Sequence, residues 1–336
     1  MVLLGWVSTG SMNNGRYWHT ASVLTNGKVL VTGGLSNSGT VNSTELYDPS
    51  TGTWTMTGSM NNERYLHTAS VLTNGKVLVT GGLGNSGLLN STELYDPSTG
   101  TWTITGSMNN GRYQHAASVL TNGKVLVTGG WGSSGDSVNS TELYDPSTGT
   151  WTMTGSMNNE RYLHAASVLT NGKVLVTGGW SSGVTVNSAE LYAPSTGTWT
   201  MTGSMNNARF GHTASVLTNG KVLVTGGWGN SGDSINSTEL YDPLAGTWTM
   251  TGSMNNERYE HTASVLTNGK VLVTGGWRNS GLLNSTELYD PSTGTWTMTG
   301  SMNNTRYWHT ASVLTNGNVL VTGGLNVIGL NSSELY

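Results

Sequence analysis

The sequence predicts an all-β fold, a seven-bladed β-propeller of four-stranded antiparallel blades closed by an N-terminal strand that completes the last blade. Three observations predict it. All seven His residues fall in one series, His19, His67, His115, His164, His212, His261 and His309, with successive spacings of 48 or 49 residues. Around each stands nearly the same text, GSMNNxRYxHTASVLTNGKVLVTGG, a variable stretch, then NSTELYDPSTGTWTMT, and nowhere does it show the 3.6-residue apolar period of a helical repeat. Finally, Trp6–Met12 matches Trp54–Met60, so the chain begins inside a fourth strand, and it ends at Tyr336 inside a third. The two ends are therefore expected to share one blade, with residues 1–10 pairing with the C-terminal one and removing open sheet edges. Residues 1–336 read as a single domain.

Within the first unit the strands follow in order. HTASVL spans His19–Leu24 and KVLVT spans Lys28–Thr32, with Asn26-Gly27 between them as the signal for a two-residue type I′ hairpin. Gly33-Gly34 ends the second strand where the backbone turns or is closely approached. STELY runs to Tyr47 before Asp48-Pro49 breaks it, and TWTMT around Trp54 is the fourth strand. Val29, Leu30 and Val31 form the unbroken apolar run of a strand covered on both faces, while the small Thr20, Ala21 and Ser22 suit the crowded axis. The His strand is placed innermost, and Tyr47 and Trp54 fill the wider space further out.

Composition narrows the function classes. The chain has no Cys, which removes disulfide frameworks and thiolate metal sites, and no apolar run approaches the roughly 20 residues of a membrane helix, so membrane insertion is not expected. Only 14 Lys plus Arg and a net charge of −4 give no electrostatic reason to bind nucleic acid. Neither a basic n-region nor an h-region is visible at MVLLGW. The compartment stays open, with an extracellular setting slightly favoured. Asn42, Asn90, Asn139, Asn236, Asn284, Asn303 and Asn331 stand in sequons, although Asn and Ser before a strand are also ordinary turn residues. Scattered departures such as Ala193, Leu244-Ala245 and Asn318 look like natural drift on an amplified repeat, with a consensus-based origin as the alternative.

The GG after the second strand, the later Tyr and the Trp beyond it resemble the kelch repeat, and KVLVTGG with ELYDPSTGTW is most similar to the kelch repeats of galactose-oxidase-like propellers. The resemblance covers the whole chain. It implies one face built from the loops between fourth and first strands and between second and third strands. In galactose oxidase it also implies a copper centre with a cross-linked Cys-Tyr cofactor, a second Tyr and His ligands. This chain departs from that pattern: it lacks Cys, and the residue before each His is Trp18, Leu66, Gln114, Leu163, Gly211, Glu260 or Trp308, never Tyr. Copper-radical oxidation is not expected. No catalytic residue, cofactor or metal site is assigned, since neither a nucleophile elbow nor a local carboxylate pair is present.

Internal variation supplies the functional clue. The strands barely change, whereas three places do: the residue before Arg (Glu63, Glu160 and Glu257 in alternate units), the residue before His, and the stretch after GG. The stretch opens with Trp131, Trp180, Trp228 or Trp277 in four units and with Leu35, Leu83 or Leu325 in the others. A constant frame with one changing face is the pattern of a binding protein, although loops also accept neutral drift. The candidate ligand face comprises Trp18, Trp308, Gln114, Glu260, Trp131, Trp180, Trp228 and Trp277, together with Arg16, Arg64, Arg112, Arg161, Arg209, Arg258 and Arg306 near the axial entrance.

Trp offers a rigid surface for sugar rings or protein anchors, and an Arg ring would add contacts to anions or carboxylates. Alternatively, each Arg pairs with a carboxylate such as Glu45, each His bonds backbone on a neighbouring blade, and the Trp after GG merely covers the core. The expected function is a non-enzymatic, monomeric recognition module for a protein or glycan. The alternatives are a galactose-oxidase-like enzyme or metal-binding remnant, and a structural repeat without a dedicated ligand.

Overall fold

The computed structural model describes residues 5–336, which form seven four-stranded antiparallel sheets and no helix among the described residues. In the first blade the strands are Thr20–Val23, Val29–Thr32, Thr44–Asp48 and Thr53–Met56, in register Thr20 with Thr32, Val29 with Tyr47, and Tyr47 with Trp54. Each innermost strand packs against the innermost strands of the blades on either side, around a closed circle. The result is a seven-bladed β-propeller.

The apolar run of the second strand is buried because both faces meet a neighbouring blade. Val29 and Tyr47 pack against Leu314 and Leu320 of the preceding blade, while Leu24 and Leu30 pack against Val77 and Tyr95 of the following one. The core is thus divided into inter-blade clusters of the same residue types. Tyr47 is fully buried, and its hydroxyl meets Thr9 Oγ1 at 2.8 Å; Trp54 Nε1 donates to the Gly10 carbonyl at 2.9 Å. The aromatic pair therefore fills the outer wedge while its polar atoms tie consecutive blades together.

Two local features differ from the sequence reading. In the first hairpin only Gly27 takes the left-handed region, at φ 81°, whereas a type I′ turn needs both central residues there. Gly27 N–H donates to the Leu24 carbonyl, Leu24 N–H to the Lys28 carbonyl, and Lys28 N–H to Asn26 Oδ1. That is a three-residue loop ending in a glycine bulge, in which the Asn side chain holds the turn. The second difference lies in the variable stretch, which forms small β-ribbons rather than bare loops. Leu35–Ser36 pairs with Gly39–Thr40, for example, and Trp131–Gly132 pairs with Arg112–Tyr113.

At Gly33, with φ 59°, an added Cβ would lie 2.5 Å from the Arg64 carbonyl oxygen and 2.9 Å from His67 Cε1. The glycine is required because the next blade's Arg-Tyr-Leu-His segment presses directly on the end of this strand.

Closure uses the chain's two ends. Val7–Ser8 pairs with the Ser333–Leu335 strand, Val7 opposite Leu335 and Ser8 opposite Glu334. Trp6 packs at 5.3 Å against Tyr336 and donates from Nε1 to the Gly300 carbonyl at 2.9 Å, repeating what Trp54 does in the first blade. Of the segment expected to close the ring, residues 1–4 lie outside the described residues. Deleting residues 1–10 should lower the melting temperature by several degrees, on the order of 5 °C. It should also give oligomers in size-exclusion chromatography with light scattering, because the Ser333–Leu335 edge becomes free to pair. Unchanged melting with a monomeric profile would refute a closing role.

Candidate functional site: an axial cup in a left-handed collar

Each chain crossing from one blade to the next is clamped by a buried ion pair. Arg16 donates from Nη1 to the Gly33 and Ser43 carbonyls, both at 2.9 Å, and from Nη2 to Glu45 Oε1 at 2.8 Å. Glu45 Oε2 in turn accepts from the Asn13 backbone and side-chain nitrogens at 2.7 and 2.8 Å. The same Arg–Glu pair recurs in all seven units at 2.7–3.0 Å. Burial works against the carboxylate charge of Glu93, Glu190, Glu239 and Glu287, but the Asn donors and the Arg outweigh it and hold these groups below their ordinary value.

The seven Arg side chains, namely Arg16, Arg64, Arg112, Arg161, Arg209, Arg258 and Arg306, are 0% exposed. They therefore offer no surface to an anion at the axial entrance. The reason is geometric: the guanidinium fork is filled by a carboxylate and two carbonyls of its own blade. What the Arg supplies to the face is the position of the residues that follow it.

Next in the chain, the His side chains point into the seams between blades. His67 Nε2 lies 3.1 Å from Thr20 Oγ1 and 3.2 Å from Thr32 Oγ1, so its partners are side-chain hydroxyls of the preceding blade rather than the backbone expected. Where Ala116 and Ala165 replace the first Thr, His164 and His212 keep only Thr128 and Thr177. Burial, reinforced by the nearby Arg charges, lowers the His values, to about 3 for His19 and His164. The ring is neutral throughout the physiological range.

Between Arg and His lies the feature that sequence reasoning missed. Trp18, Leu66, Gln114, Leu163, Glu260 and Trp308 all hold φ between 51° and 55°, and Gly211 holds 60°. A left-handed backbone costs a non-Gly residue roughly 1–2 kcal/mol. Here it lets the N–H at six of the seven positions, all but Trp308, reach the preceding unit's carbonyl around the axis: Leu66 to Trp18 and Gln114 to Leu66 at 3.1 Å, Glu260 to Gly211 at 3.0 Å. This hydrogen-bonded collar aims its side chains over the channel mouth. The only sequence sign of it was Gly211, one glycine among seven equivalent positions.

The collar and the His side chains beneath it enclose a cup of about 220 Å³, lined by Trp18, Leu66, Gln114, Glu260 and Trp308 above His19, His67, His115 and His309. The Trp18 and Trp308 rings lie 4.1 Å apart, and each stacks on the Tyr of the following blade, Trp18 on Tyr65 at 5.6 Å and Trp308 on Tyr17 at 5.9 Å. Burial raises the Glu260 carboxyl to about 7, opposed only by hydrogen bonding from Trp308.

Trp131, Trp180, Trp228 and Trp277, on four consecutive blades, are partly exposed and do not line the cup; the first three pack against the next blade's aromatic ring, and Trp277 packs against Trp228 and Tyr259. Trp131 meets Tyr162 at 5.0 Å and Trp180 meets Phe210 at 5.4 Å, both edge-on, while Trp228 and Trp277 stack at 5.7 Å. The structure thus brings Trp18, Trp308, Gln114 and Glu260 into one cavity and leaves the other four Trp as a belt outside it.

This seven-bladed ring with GG-ended second strands defines a kelch-type propeller. The family model of the KLHDC2/KLHL20/DRC7 kelch-repeats domain matches residues 6–179, 103–251 and 164–335, and the chain belongs to the kelch-repeat family. No curated protein sequence matches it. Among solved structures it is similar to a fungal alcohol oxidase of the AA5 family in complex with copper, with a TM-score of 0.78 and 21% identity. The similarity covers 99% of this chain and 76% of the oxidase. At that identity the similarity concerns the fold.

Proposed function

We propose that the chain is a non-enzymatic, monomeric recognition module that binds a protein partner through the face carrying the axial cup and its Trp belt. The observation that carries this reading is where the repeats differ. Scaffold residues such as the Arg–Glu clamp recur in every unit, whereas the collar reads Trp, Leu, Gln, Leu, Gly, Glu, Trp around the axis, and five of the seven line one cavity. Six of those side chains sit on strained backbone, and strain concentrated at a cavity is characteristic of functional sites. Two adjacent indoles supply the kind of partly buried aromatic anchor that dominates protein interfaces. The kelch-repeat family match favours a protein partner; a glycan is the competing outcome.

The test is a peptide-display selection and a glycan array run in parallel, followed by titration of the selected binder against Trp18→Ala/Trp308→Ala. Affinity should fall tenfold or more while the melting temperature changes by only a few degrees, roughly 1 kcal/mol or less. Unaltered affinity would place binding elsewhere. Loss of folding without selective loss of binding would make the indoles a cover for the core. An array hit that depends on both indoles, with no peptide selected, would move the reading to a glycan.

A further inference from the structure

We propose that the axial cup is a site for one organic ammonium group, held between the Trp18–Trp308 pair and the Glu260 carboxylate and presented in a macromolecular partner by a lysine side chain or a free N-terminus. The proposal deepens the recognition reading above and depends on it only for the source of the cation.

Charge pairing is the first ground. Around the collar, Glu45, Glu287 and Glu334 are taken by Arg16, Arg258 and Arg306, and at the hairpin ends Asp48 and Asp290 are taken by Lys28 and Lys270. Glu260 has no cationic partner within salt-bridge distance among the described residues. The groups around it are Tyr259 and His261, its neighbours in the chain, Gly211 of the preceding blade, and Tyr307, Trp308 and His309 of the following one. None of them carries positive charge, because burial keeps His261 and His309 neutral and the neighbouring Arg258 and Arg306 are turned inward onto Glu287 and Glu334. A carboxylate placed on left-handed backbone at φ 53°, lining a cavity and with no cationic side chain among the described residues to pair it, is suited to a cationic ligand.

The second ground is the indole pair in the same cavity, of which Trp308 also hydrogen-bonds Glu260. Indole faces attract cations electrostatically, the more so where the site is desolvated. Two indoles 4.1 Å apart with a carboxylate in the same cup give an ammonium both aromatic and ionic contacts. An anion would be repelled by Glu260, and a neutral alcohol would leave its charge uncompensated. Binding requires the ionised carboxylate, so affinity should rise with pH through neutrality and flatten above it, following the raised value of Glu260.

The experiment titrates the full chain at pH 8 with tetramethylammonium chloride and n-butylammonium chloride, against the neutral isosteres 2-methylpropan-2-ol and n-butanol at matched ionic strength. Tryptophan fluorescence and calorimetry report binding. Expected are saturable binding of the cations, at least tenfold preference over the neutral compounds, and a tenfold or greater loss in Glu260→Gln. Met153→Ala on the outer strand should leave the affinity unchanged. Trp308→Leu, which removes one wall and keeps the carboxylate, guards against misfolding of the Gln variant and should also weaken cation binding. Equal binding of cation and isostere, or undiminished affinity in Glu260→Gln, would overturn the proposal. Acetylated peptides with an internal lysine, and lysine-free peptides with a free N-terminus, are compared with an acetylated norleucine control to assign the source. These small probes need no natural partner, so a failed partner selection and a failed cation site remain distinguishable.

Discussion

Arg161→Met is expected to destabilise the propeller by about 3–5 kcal/mol, the usual cost of removing one member of a buried ion pair. Arg161 and Glu190 are both 0% exposed and 2.8 Å apart. Without the guanidinium, the Glu190 carboxylate keeps the Asn158 and Asn159 donors but loses its positive partner, and the Gly178 and Ser188 carbonyls lose their donor. Replacement by Lys should recover only part of the loss, because one ammonium cannot serve the planar fork of carboxylate and carbonyls at once. A cycle with Glu190→Gln, measured by urea denaturation at pH 7, should give a coupling energy above about 1 kcal/mol. A loss below about 1 kcal/mol for Arg161→Met would mean that this clamp does not hold the crossing chain to its blade.

The fate of the Arg residues shows which parts of this molecule could be read from sequence. Strand order, ring closure and the outer placement of Tyr47 and Trp54 follow from residue type and period, and these stand in the structure at nearly the expected positions. An Arg and a Glu recurring in every unit already offer their pairing as one of two readings, and the contact about 29 residues apart between Arg16 and Glu45 decides for it against the exposed ring.

The collar offers no such reading. Its left-handed geometry is imposed by hydrogen bonds between units, so Trp, Leu, Gln and Glu adopt it against their own preference and leave no local trace. The hairpin turn failed differently: Asn26-Gly27 is the right dipeptide, but the Asn side chain caps Lys28 and only the Gly becomes left-handed, lengthening the loop by one residue. The ribbons after GG leave little local pattern because only two residues a side take part, Leu35–Ser36 with Gly39–Thr40, and because the same Leu35 also bridges to Tyr17, before the collar.

Glu260→Gln is expected to stabilise the protein at pH 8 by up to about 3 kcal/mol and to have no such effect at pH 4, since each tenfold change in proton affinity is worth roughly 1.4 kcal/mol. The carboxyl is raised from an ordinary value of 4.5 to about 7 by burial. Below pH 4.5 it is protonated in both folded and unfolded chains, and its stability contribution is fully present. Between 4.5 and 7 the unfolded chain releases its proton while the folded chain retains it, so stability is lost progressively as pH rises. Above 7 both are ionised and the penalty stays constant. Gln, neutral throughout, never incurs it. The difference between variant and wild type in urea denaturation should therefore climb from pH 4.5 to 7 and then level off, while Arg, His and the paired carboxylates, being common to both proteins, cancel. A difference independent of pH would show that Glu260 is not held in a desolvated cup. Adding tetramethylammonium at pH 8 should narrow the gap by stabilising the wild type alone, since only there does a folded-state ligand neutralise the charge that folding has confined.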